Sequence, residues 1–108
     1  MDRETLAQLL TAAEAEAGTL ERDLASLFEA SRSSNADDEH DPEGATIAFE
    51  RAQLTATLAA THRRADELRA ALARYDQGTY GVCERCGNPI PSARLAARPD
   101  ARTCVTCP

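Results

Sequence analysis

Cys83, Cys86, Cys104 and Cys107 are the residues of this chain whose type and spacing could do chemistry. They read C-x-x-C, 17 intervening residues, then C-x-x-C, within the spacing expected of a four-thiolate zinc site. Each C-x-x-C makes a tight knuckle that aims two sulfurs at one point, and two knuckles complete a tetrahedron. Zn²⁺ suits thiolates held that way, and a closed four-sulfur shell leaves no position for a substrate water. The spacing therefore predicts one structural zinc. The competing reading is a pair of redox dithiols or disulfides. A redox C-x-x-C usually sits beside a βαβ pattern, and the chain shows none. No nucleophile–base pair is evident, and His40 and His62 read as exposed or flanking residues. The chain is not expected to be an enzyme.

The 26 residues from Cys83 onward cannot bury enough apolar surface to fold unaided, so metal must supply the stability. Gly81 and Gly87 flank the first knuckle, where the backbone turns sharply toward the ion. Tyr80, Val82, Ile90, Leu95 and Val105 are the expected small core. Arg94 and Arg98 are expected to be exposed, as solvated charge or as salt-bridge partners of the preceding element.

That element must be helical. Aromatics are scarce, and alanine, leucine, arginine and glutamate dominate, the composition of long helices and coiled coils. Asp2 is a good N-cap, with Glu4 at the positive end of the helix dipole. Leu6, Leu10, Ala13, Ala17, Leu20, Leu24 and Leu27 alternate spacings of four and three, an a/d heptad pattern; Leu9 and Phe28 widen the stripe. Gly18 interrupts a good helical sequence and suggests a close helix contact. A second helix starts at Asp41-Pro42-Glu43, with Asp as N-cap and Pro at the first helical position. It repeats the heptad through Ile47, Leu54, Leu58, Thr61, Ala65, Leu68, Leu72 and Tyr75, with Arg51 as a register device or snorkelling side chain. Gly78 looks like its stop.

Two such helices joined by a short turn-forming segment predict a mainly α protein. Its architecture is an antiparallel two-helix coiled-coil hairpin over residues 1–77, ~45 Å long, with an acidic tip near 35–44. A small C-terminal four-cysteine zinc finger follows over 78–108. An intermolecular coiled coil shares this periodicity; the turn chemistry favours the hairpin and hence a monomer.

The formal net charge of −6 argues against general electrostatic binding to nucleic acid, and a protein partner is expected instead. The N-terminus lacks a signal-peptide pattern, and no apolar run reaches membrane-spanning length. A soluble cytoplasmic protein with reduced cysteines follows.

Gly78-Thr79-Tyr80-Gly81-Val82-Cys83-Glu84-Arg85-Cys86-Gly87, then Ile90, Arg94-Leu95-Ala96-Ala97-Arg98-Pro99 and Cys104-Val105-Thr106-Cys107 together resemble the DksA/TraR family of bacterial RNA polymerase regulators. The resemblance implies direct binding to RNA polymerase without sequence-specific DNA binding. It implies a coiled coil that enters the secondary channel, with acidic tip residues modulating initiation. Asp37, Asp38, His40, Asp41, Glu43 and Ala45 are the tip candidates. Asp38 and Asp41 reproduce the family's spacing of two aspartates. Counting back from Cys83 without gaps instead selects His40 and Glu43, followed by Ala45 and Thr46. Arg94 and Arg98 match basic positions that in some members help to bind polymerase or the alarmone ppGpp. Members commonly continue into a C-terminal helix, so the ending at Cys107-Pro108 counts against a ppGpp response. The alternative function is a zinc-stabilised coiled-coil adaptor or homodimer.

Overall fold

The computed structural model describes residues 1–33 and 42–107, the side chains of 33, 42 and 43 excepted. Helix α1 runs Arg3–Ser33, α2 runs Pro42–Gln77 and a short α3 runs Ser92–Ala97. Helix α1 begins where Asp2 caps it: Asp2 Oδ1 accepts a hydrogen bond from the Thr5 N–H at 2.8 Å, satisfying a donor that the first turn leaves free. Hydrogen bonds from Thr5 also hold the Asp2 carboxyl below its ordinary value. Helix α2 ends in a Schellman motif. Thr79 N–H donates to Arg74 O at 2.9 Å and Gly78 N–H to Tyr75 O at 3.1 Å, with Gly78 at φ +81°, a conformation glycine adopts without steric cost.

The chain forms two compact units, Ala13–Arg63 on the one hand and Met1–Ala12 with Arg64–Pro108 on the other. Within the first, Glu21 Oε1 lies 3.1 Å from His62 Nε2, and the Arg51 guanidinium stands 5.4 Å from the Phe28 ring centroid. Within the second, Arg3 Nε donates to Asp76 Oδ1 at 2.7 Å. In each unit low numbers on α1 meet high numbers on α2, so the helices pair antiparallel. The protein is mainly α, a two-helix coiled-coil hairpin followed by a four-cysteine module. No strand forms among the described residues; the nearest thing is an isolated antiparallel bridge between Val82 and Pro89.

The heptad positions of α1 make the seam. Leu6, Ala13 and Ala17 are buried, while Leu10, Leu20, Leu24 and Leu27 are half-buried. On α2, Thr61, Ala65, Leu68 and Ala71 are buried. Thr61 satisfies its hydroxyl by donating to Thr57 O at 2.9 Å.

Three expectations are corrected here. Tyr75 is 37% exposed whereas Ala71 is fully buried: a helix of 3.6 residues per turn drifts off a 3.5-residue repeat, and Ala71 takes the inward place. Phe28 is 46% exposed and lies against Arg51, which snorkels over its ring. Gly18 marks no close helix contact. A Cβ built there meets only Arg22 Nη1, at 3.4 Å, and Arg22 belongs to the same helix.

Candidate metal centre

Residues 79–107 fold around sulfur and a handful of side chains. Cys83 N–H donates to Asn88 O at 2.9 Å and Ile90 N–H to Gly81 O at 2.7 Å, closing a narrow loop that presents the first C-x-x-C. Gly87, at φ +75°, lets that knuckle turn, and its N–H donates to Cys83 O at 3.0 Å. The second knuckle closes one residue tighter and without a glycine, Cys107 N–H donating to Cys104 O at 3.2 Å. Helix α3 follows Pro91 and places Leu95 inward.

The core of the module is Cys83, Ile90, Leu95, Ala101 and Cys104, with Tyr80 and Cys107 packed against it. Two expected members are outside it: Val82 is 42% and Val105 66% exposed. Val82 precedes the inward Cys83 in extended chain, so it points the other way. Val105 occupies an inner x of a C-x-x-C, where the knuckle turns side chains away from the sulfurs. Ala101 was not legible as core because nothing in its neighbourhood is periodic.

The four Sγ atoms lie within 4.8 Å of one another. Cys86 Sγ and Cys104 Sγ are 3.7 Å apart, and a tetrahedron with Zn–S bonds of ~2.3 Å has an edge of ~3.8 Å. Backbone N–H groups of Cys86 and Cys104 are the main cause that lowers the Cys83 thiol to about 6, favouring thiolate at neutral pH. Thr106 Oγ1, 3.1 Å from Cys104 Sγ, lowers that thiol too. Cys107 is instead pushed up to about 12, chiefly by Cys104 and then Cys86. Four sulfurs at this separation cannot all ionise without a cation between them. A soft-ligand dication resolves the conflict, and the donor set fits a single structural Zn²⁺.

The surroundings tie this module to α2. Arg102 Nε donates to Glu67 Oε2 on α2 at 3.1 Å, and its Nη1 donates to Glu84 Oε1, inside the first knuckle, at 3.1 Å. Tyr80 donates its hydroxyl to Pro99 O at 2.8 Å and tilts against the Tyr75 ring, centroids 5.8 Å apart. Arg102 went unnoticed in the sequence because nothing there pairs it with a glutamate 35 residues earlier.

Arg94 is half-buried, against expectation, because its Nε donates to Thr103 O at 2.8 Å. Arg98 is exposed as expected. Both line an open groove of about 520 Å³ with Glu67, Asp100, Arg102 and Thr103. Of the tip candidates, Ala45 is exposed on the first turn of α2. Asp37, Asp38, His40 and Asp41, and the side chain of Glu43, lie outside the described residues.

Helical hairpin and closed thiolate quartet together define a zinc-finger protein whose metal is structural. Residues 78–107 match the family described as prokaryotic dksA/traR C4-type zinc finger. The C-terminal module is thus a DksA/TraR-type C4 zinc finger. The chain is 54% identical over 35 residues to the RNA polymerase-binding transcription factor DksA of Caulobacter vibrioides, covering 32% of this chain and 25% of that protein. It is 36% identical over 72 residues to general stress protein 16O of Bacillus subtilis, covering 67% of this chain and 44% of that protein. The matched segments span between 25% and 55% of the length of the curated relatives. Transcription factor DksA2 from Pseudomonas aeruginosa shares the fold, with a TM-score of 0.80 over 96% of this chain and 74% of that one at 24% identity. No helix among the described residues is long and apolar enough to cross a membrane.

Proposed function

We propose that this protein is a transcription regulator that binds bacterial RNA polymerase directly and acts through the tip of its hairpin. The observation that carries the reading is the joint match: a DksA/TraR-type zinc finger at 78–107 on an architecture that follows DksA2 over 96% of the chain. Residues 1–77 would serve as the probe and 78–108 as the zinc-held base, with Cys83, Cys86, Cys104 and Cys107 as the ligands. The coiled coil would enter the polymerase's secondary channel, and carboxylates among Asp37, Asp38, Asp41 and Glu43 would act near its catalytic Mg²⁺, for which carboxylates are hard ligands. His40 and Ala45 belong to the same candidate tip. Sequence-specific DNA contact has no part in the mechanism, which suits a net charge of −6.

Helices α1 and α2 pair with each other within one chain, which supports a monomer over an adaptor or homodimer. Arg94 spends its Nε on Thr103, so Arg98 is the freer polymerase-contact candidate; a ppGpp response would have to be tested separately. Run-off transcription from a panel of promoters, with Asp37, Asp38, Asp41 and Glu43 changed to Asn or Gln, tests the reading. The expected result is an effect on initiation by the parent protein that the neutralised variant loses. Equal behaviour of the two would refute a role for the tip.

A further inference from the structure

We infer that zinc loading and the pairing of the helix ends form one cooperative equilibrium, transmitted by Glu67 and Tyr75 on α2. The module folds into the same compact unit as Met1–Ala12 and the α2 residues from Arg64 onward. Beyond the covalent link and the bonds of Thr79 to Arg74 O at the helix end, two side-chain ties join module and helix. Arg102 bridges Glu67 to Glu84, and Glu84 also donates its N–H to Arg102 O at 2.9 Å. One arm of the bridge therefore stands between Cys83 and Cys86. Tyr80 joins Tyr75 to Pro99 while packing against the cluster that holds Cys83 and Cys104.

Both ties depend on the shape that zinc gives the two knuckles. Without metal, 83–107 has too small a core to hold Glu84, Arg102 and Pro99 in register. Losing the ties frees the last turns of α2. These turns hold the first turn of α1 through the bidentate pair of Arg3 and Asp76, with contacts of 2.7 and 3.2 Å. Loosening then reaches residues 1–12, whereas 13–63 keeps its own seam and its own cross-helix contacts. Zinc thus governs how firmly one section of the hairpin is closed, in addition to folding the finger.

Hydrogen exchange on the full chain, zinc-loaded and after chelation, tests this. In the parent protein, chelation should speed exchange of amides in 1–12 and 64–77 by on the order of tenfold or more, with 13–33 and 44–63 changed far less. The double variant Glu67→Gln/Tyr75→Ala alters the helix only, leaving every sulfur and the module core in place. It should still hold one zinc per chain by metal analysis, yet its helix ends should exchange fast with or without zinc. The single Glu67→Gln variant should be intermediate. Three outcomes would overturn the inference: helix ends of the parent protein indifferent to chelation, loss of protection spread evenly through 13–63, or an undiminished zinc response in the double variant.

Discussion

Replacing Gly18 with alanine should stabilise the protein. The position lies mid-helix in α1, where glycine costs ~1 kcal/mol relative to alanine through its greater backbone entropy in the unfolded chain. The opposing cost would be steric. A methyl added there meets one atom within 4 Å, Arg22 Nη1 at 3.4 Å, the end of a flexible side chain that can shift. Arg22 also donates through Nη2 to Thr19 Oγ1 at 3.2 Å, a surface bond within the same helix whose loss is worth a few tenths of a kcal/mol at most. The net gain is about 0.5–1 kcal/mol, or roughly 2–8 °C in melting temperature for a chain of this size. Thermal melts of the zinc-loaded protein followed by far-ultraviolet circular dichroism read it directly, and urea titration checks that the slope is unchanged. A melting temperature that stays put or falls would show that α2 approaches Gly18 closely, and would refute the packing described for this part of the seam.

Other substitutions separate core from surface. Leu68→Ala empties a site 1% exposed and should cost ~2–5 kcal/mol, whereas Val105→Ser, despite its place between two ligands, should change stability by less than ~0.5 kcal/mol; urea denaturation distinguishes them. Arg94→Met keeps the apolar stem but removes the hydrogen bond to Thr103 O, and should cost ~0.5–1.5 kcal/mol, seen as faster zinc loss to a chelator. Arg3 holds the Asp76 carboxyl below the ordinary carboxylate range, chiefly by hydrogen bonding. A depressed carboxylate contributes stability that is complete above the unfolded value and disappears as pH falls through the folded one. The melting-temperature difference between the parent and Asp76→Asn should therefore persist from neutral pH to about 4 and vanish below it.

Much of this was readable from residue types because the signals were local. The quartet's spacing, the Asp2 cap, the Gly78 stop and the heptads through Leu6 to Leu27 each rest on backbone geometry within a few residues. Illegible features depended on distant partners or on shape imposed by the sulfurs. Arg94 looked like surface charge until the fold brought Thr103 O beneath it. Arg102 gained meaning only once Glu67 and Glu84 converged on it. Val82 and Val105 were hydrophobic enough for a core, but the knuckle geometry faces the cysteines inward and the valines out. Ala71 displaced Tyr75 because a real helix keeps its own period.

Engagement of RNA polymerase by the tip of this zinc-held hairpin is the proposal on which the function turns. Its most direct measurement is binding of the zinc-loaded chain to purified bacterial core polymerase at physiological salt, by sedimentation. The parent protein is expected to form a one-to-one complex, and a blocking polypeptide anchored in the secondary channel should displace it. Absence of a complex under those conditions, with one zinc per chain confirmed, would contradict the account.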